Sequence, residues 1–213
     1  TPFYAAQIND PALTPARGGP KRVAVLVGGV HAGEDHANFV LCEIVRALLA
    51  ESPDAIAIRR ECIVLIYPCC NAPSRAGGGY RGSFTVGKNG ADDANRHFHE
   101  SDSQLEIVDK PKAALEIDRA GKRLAWAIDS HGTCPHLWAT FVDSALPESG
   151  DFRRQLELAF GRPIVDEGDS HPGFVAEYLR RLGASPAITL ETGDPSPVRD
   201  ADIAALGVAV VST

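Results

Sequence analysis

The chain has 213 residues, 44% of them hydrophobic, which is enough to bury a full core and suits one domain rather than two small ones. Its formal charge is −7, from 21 basic and 28 acidic residues, with no basic stripe interleaved with aromatics, so a polyanion such as nucleic acid is repelled rather than steered in. No apolar run approaches the roughly 18 residues that a membrane span needs, and no basic-then-apolar leader opens the chain.

The five cysteines (42, 62, 69, 70 and 134) are odd in number and irregularly spaced, which argues against a disulfide framework or a cysteine zinc cage. A reducing, cytoplasmic compartment is the expectation. The chain contains no methionine and opens on Thr1, so it has lost its initiator or begins inside a longer protein, and a leader removed upstream is outside what the sequence records.

In chain order, residues 1–20 hold prolines and a Gly-Gly pair without periodicity and read as an irregular lead-in. A buried strand is predicted at about 22–30. A helix follows over 36–50, with Phe39, Val40, Ile44, Ala47 and Leu48 on one face. Ile63 to Tyr67 is the next strand, and this strand, helix, strand rhythm predicts an α/β fold with a mixed, mostly parallel central sheet flanked by helices.

From Pro68 to about Gly90 the chain is rich in Gly, Pro, Ser and Asn. A loop of that length in a compact domain is usually functional. A helix is predicted over 111–120 with Pro111 at its first position. Strands near 123–129 and 137–142 precede helices near 151–160 and 173–182, and Trp126 and Trp138 read as core. A strand at 186–190 precedes a closing helix near 199–210, whose stretch Val208 to Val211 also suits a strand.

The chemistry-bearing residues cluster at the ends of the predicted strands. His31 and Glu34 follow the run Val23 to Val27, His131 follows Leu124 to Ile128, and Glu191 follows Ala187 to Leu190. In open parallel sheets, ligands gather outside the carboxyl ends of the strands, so these four residues are expected to converge.

An imidazole and a carboxylate three positions apart at a strand-to-helix turn can face one ion, and catalytic zinc takes three nitrogen or carboxylate ligands while leaving a position for water. A glutamate at a helix start is also welcome for its charge alone. The helical zinc motifs H-E-x-x-H and H-x-x-E-H do not apply, because His31 and His36 are five apart with Gly33 between them, and His36 reads as a helix-start residue.

Asp93-Ala94-Asn95-Arg96 closes the long loop. In isolation it reads as a surface turn, yet Arg96 offers a planar fork for a carboxylate, Asn95 an amide donor, and Asp93 an acceptor for the second ring proton of a ligating histidine. His97 and His99 read as solvent-facing. Cys69-Cys70 reads as an unreactive pair, and His136, Asp169 and His171 stand near the expected pocket.

Taken in order, H-x-x-E at 31–34, D-x-N-R at 93–96, Asp129-Ser130-His131 and the strand-ending Glu191 resemble the zinc carboxypeptidase superfamily of the M14 type, with its amino-acid deacylase relatives. The segment from His171-Pro172-Gly173-Phe174 to Glu191 is similar to murein peptide amidases. The compact length also resembles the succinylglutamate desuccinylase and aspartoacylase branch.

The resemblance implies one Zn2+ ion held by His31, Glu34 and His131, with Glu191 as the base that activates water. It implies Asn95 and Arg96 on the substrate carboxylate and a loop arginine on the scissile carbonyl, Arg81 or else Arg75. The substrate would be a small peptide or an N-acyl amino acid, and the reaction amide hydrolysis of the carboxypeptidase or peptide amidase type, with deacylation or an inactive binding module of the same fold as alternatives. His97 after N-R and Gly132 after His131 depart from the family pattern, and no mobile tyrosine is assigned, since Phe174 stands near that stretch and Tyr178 reads as helical.

Overall fold

The computed structural model describes residues 3–77, 93–103, 105–134, 138–141, 147–166, 168, 171–193 and 200–212. Its strands are β1 (Ala6–Ile8), β2 (Arg22–Gly28), β3 (Cys62–Tyr67), β4 (Leu124–Cys134), β5 (Trp138–Phe141), β6 (Val165–Asp166) and β7 (Ala187–Gly193). The helices are α1 (Asp35–Leu49), α2 (Pro53–Glu61), α3 (Ala72–Ala76), α4 (Glu106–Arg119), α5 (Pro147–Phe160), α6 (Val175–Arg181) and α7 (Asp200–Ser212), with a 3-10 turn at Ala94–Arg96.

The strands form one seven-stranded sheet in the order β1-β3-β2-β4-β7-β5-β6. The central pairs β3/β2, β2/β4 and β4/β7 are parallel, as is β5/β6, whereas β1/β3 and β5/β7 are antiparallel. The sheet is mixed and mostly parallel, as the sequence predicts. A strand covered on both faces reads as a continuous apolar run because alternate residues feed opposite cores. On β2, Ala24 and Leu26 pack with α1, α2, α5 and α7, while Val23, Val25 and Val27 pack with α4 and α6.

Several elements differ from expectation. The lead-in contains β1, where Gln7 pairs with Leu65 on the sheet edge; three residues are too few to show an alternating pattern. Helix α2 was not anticipated from the pattern. Ser52 caps it by accepting from the Ala55 N–H at 3.2 Å, with Pro53 in its first turn.

On α1 the buried stripe is Ala37, Val40, Leu41, Ile44 and Leu48, and Phe39 is 57% exposed. Phe39 lies roughly 140° around the helix from Ile44, so Leu41 takes the inward place. Helix α4 begins at Glu106, which puts Pro111 in its interior instead of at its start. Burial of Ile107 and Val108 draws the extra turn into the core, and the Ser103 hydroxyl bonds to the Asp109 carboxylate at 2.9 Å ahead of it.

The closing segment through Val208 to Val211 is helical, and it packs so tightly on α1 that a Cβ on Gly207 would stand 2.6 Å from the Glu43 backbone. Among the described residues, no helix is long and apolar enough to cross a membrane.

Candidate metal centre

After β2, Gly29 turns the chain with φ of +63°, a conformation that favours glycine. This turn delivers His31 and Glu34 to the head of α1. Glu34 occupies the cap position of α1 but makes no capping bond. Its carboxylate turns inward instead, with Oε1 2.8 Å from His31 Nδ1 and Oε2 3.0 Å from His131 Nδ1, and the Gly132 N–H donates to Oε2 at 3.0 Å.

The two Nδ1 atoms are 3.2 Å apart. His31, Glu34 and His131 are all buried, at 2%, 3% and 1% exposure, so water does not dilute their interaction. His131 and Glu191 are direct neighbours in register on the parallel strands β4 and β7, inside the strands rather than beyond their ends.

Each histidine is held from behind. His31 Nε2 lies 2.7 Å from Asp93 Oδ1, and His131 Nε2 lies 2.9 Å from Asp129 Oδ2. With the Nε2 protons directed at carboxylates, both Nδ1 lone pairs face the space they share with Glu34. Without a cation, the two Nδ1 atoms and the Glu34 carboxylate are satisfied together only when both buried imidazoles carry a second proton, whereas one cation in the shared space would serve all three. Ligands of one tetrahedral zinc at 2.0–2.1 Å would stand roughly 3.3 Å from one another, close to the spacings seen here. The donor set therefore fits zinc, and His31, Glu34 and His131 are grouped as a candidate metal cluster.

The electrostatics follow from this packing. For His31, burial opposes the charged form but is outweighed by the bonds to Asp93 and Glu34, so its pKa is raised. For His131, burial again opposes charge, and Asp129 with Glu34 overcomes it, holding the pKa well above the ordinary value. Glu34 is pushed up by burial and pulled down harder by His131 and His31, ending below the usual carboxylate range. Burial raises Glu191 to about 7, with the positive charge of His131 opposing and the negative charges of Glu34 and Asp129 adding to the rise.

Asn95 is buried and bridges two elements: its Oδ1 accepts from the Val175 N–H at 3.0 Å, and its Nδ2 lies 3.2 Å from His131 Nε2. Arg96 stands at the rim, with Nη1 donating to the Asn95 carbonyl at 3.0 Å and lying 3.6 Å from Asp93 Oδ2. Arg75, on α3, pairs with Asp35 at 2.5 Å, next to Glu34 in the chain. Arg81, His136 and Asp169 lie outside the described residues.

His97 is half-buried and bonded to Glu100 Oε1 at 2.8 Å, and His99 and His171 are exposed. Cys42, Cys62, Cys69 and Cys70 are free, and burial raises the pKa of the latter three. Trp126 packs half-buried against the core. The support of His131 by Asp129 had a sequence signal that went unread: residues two apart on a strand share a face.

Models of known protein families do not match the chain. Cytosolic carboxypeptidase 2 of Macaca fascicularis is 32% identical over 95 residues, which cover 45% of this chain and 11% of that protein. The metallo-carboxypeptidase of Burkholderia cenocepacia superposes with a TM-score of 0.74 at 18% identity, covering 98% of this chain and 59% of that one. The Pseudomonas aeruginosa metallo-carboxypeptidase in complex with (2-guanidinoethylmercapto)succinic acid gives a TM-score of 0.72 at 17% identity, covering 99% and 59%. The chain thus spans about a tenth of the curated relatives it matches and about three fifths of these solved structures. The chain therefore has the fold seen in these metallo-carboxypeptidases.

Proposed function

We propose that the chain is a zinc-dependent hydrolase of the carboxypeptidase type, cleaving an amide bond in a small peptide that bears a free carboxylate. The observation that carries this reading is the convergence of His31, Glu34 and His131 from separate elements on one buried point, with Glu191 in register on the next strand. Bound zinc would supply a Lewis acid that makes hydroxide available near neutral pH.

Glu191 takes the proton of the attacking water on its carboxylate and returns it to the leaving nitrogen. A group poised near the working pH serves both steps, and burial has already moved Glu191 in that direction. Asp93 and Asp129 fix the ring orientations of the two histidines. Arg96, at the rim with part of its side chain open to solvent, binds the substrate carboxylate, with Asn95 as the second donor proposed from the sequence, its amide in this structure turned to the Val175 N–H and His131. For the loop arginine that would stabilise the developing oxyanion, Arg81, which lies outside the described residues, is preferred because Arg75 is already engaged by Asp35. The relative crystallised with a succinic acid derivative supports recognition of carboxylates by this fold.

The test is a substrate panel offered to zinc-loaded protein. Peptides with a free C-terminal carboxylate should be cleaved, and their C-terminal amides should be poorer substrates. Faster cleavage of N-acyl amino acids would move the assignment to the deacylase branch. Failure to hydrolyse either class would remove the catalytic reading and leave a binding module.

A further inference from the structure

Gly173 to Val175, leading into α6, is fastened to the Asp93 to Phe98 segment at several points. The Phe98 N–H donates to the Gly173 carbonyl at 3.1 Å, and the Val175 N–H donates to Asn95 Oδ1 at 3.0 Å. Between them, Gly173 lies so close to the Arg96 backbone that a Cβ there would stand 2.1 Å from the Arg96 carbonyl oxygen, so this close approach requires glycine.

The next side chain, Phe174, is only 8% exposed, and its ring lies under the Arg96 guanidinium, with Cζ 4.8 Å from the ring centroid. Among the described residues, the other polar contacts of Arg96 are loose or local. Asp93 Oδ2 is 3.6 Å away, and the bond to the Asn95 carbonyl is to its own neighbour. The aromatic face is therefore the rigid surface against which a flexible arginine comes to rest.

From this we infer that Phe174 is a positioning residue for carboxylate recognition: its ring pre-sets the plane of the Arg96 guanidinium so that the outward edge is presented to the substrate. The inference rests on the reading of Arg96 as the carboxylate anchor. Stacking on an aromatic face holds a guanidinium through its plane and uses none of its N–H groups, so the donors beyond Nη1, which bonds to the Asn95 carbonyl, are left for a carboxylate. Holding the fork before substrate arrives reduces the side-chain ordering that binding must otherwise impose.

The experiment measures calorimetric binding of an N-acetyl dipeptide and of its C-terminal carboxamide to zinc-loaded protein carrying Glu191→Gln, so that neither probe is turned over. The quantity read is the ratio of the two affinities. Phe174→Leu, which keeps apolar volume without a ring, should lower the preference for the carboxylate by about two- to fivefold, and Phe174→Tyr should restore it. Arg96→Ala should abolish the preference. A purely structural role of Phe174 would weaken both probes alike and leave the ratio unchanged, which would overturn the inference while Arg96 stands. Absence of any carboxylate preference in the Phe174 protein would overturn the Arg96 anchor itself, and the platform with it.

Discussion

The carboxylate of Glu34 illustrates how a residue type with an ordinary explanation acquires a special one. At the start of α1 an acidic side chain is favoured by the helix dipole alone, yet Glu34 leaves the helix uncapped and faces two imidazoles. Replacing His31 by alanine removes one of the three proposed zinc ligands and should abolish stoichiometric zinc, read by metal analysis. Glu191→Gln should retain zinc and lose roughly 10²- to 10⁴-fold in turnover. Near-native turnover in that variant would remove the assigned base.

Asp129→Asn should weaken zinc affinity by about 10- to 100-fold, measured by competition with a chelator, because the carboxamide holds the His131 ring less firmly. The sign of the pH effect also follows at this scale. Both histidines have raised pKa values without metal, and metal needs their Nδ1 atoms deprotonated, so zinc binding releases protons and its affinity rises with pH through and above the ordinary histidine range. Calorimetry in buffers of different ionisation enthalpy would detect the released protons, and pH-independent affinity would contradict the ligand set.

At the scale of elements, the site is a meeting of three parallel strands and two loops. The runs that became β2, β3, β4 and β7 were legible because strands covered on both faces are continuously apolar. His31, Glu34, His131 and Glu191 were legible because they stand at or near the carboxyl ends of such runs. What was not legible depended on tertiary contact. The short β1 has no pattern of its own, and the first turn of α4 ahead of Pro111 carries no signal in the sequence because Ile107 and Val108 form a face only when the core is present. Phe39 is exposed although aromatic, because its angular position on α1 turns it away from the buried stripe.

The Phe174 platform could not be read at all, since it joins segments about eighty residues apart. Packing between α1 and α7 offers a test confined to this scale. Gly207→Val would force a side chain against the Glu43 backbone, and should lower unfolding free energy by about 1–3 kcal/mol in denaturant titration. Zinc affinity should hold, because neither residue touches the centre.

Across the whole molecule, one sheet carries two cores and a buried cluster of opposed charges. Raised above its ordinary value, Glu191 favours the folded state most when protonated; in metal-free protein that contribution is present at low pH and is lost as pH rises toward about 7. A bound cation opposes this loss and links folding to metal. Zinc at a hundredfold excess over its dissociation constant should stabilise the fold by about 2.7 kcal/mol, seen as a higher Tm that chelator reverses. The most direct test of the account is zinc stoichiometry by titration against a competing chelator, comparing this chain with its His131→Ala variant. One ion per chain should bind, and the variant should lose it; absence of zinc from the unaltered chain, or equal binding by both proteins, would refute a centre built on His31, Glu34 and His131.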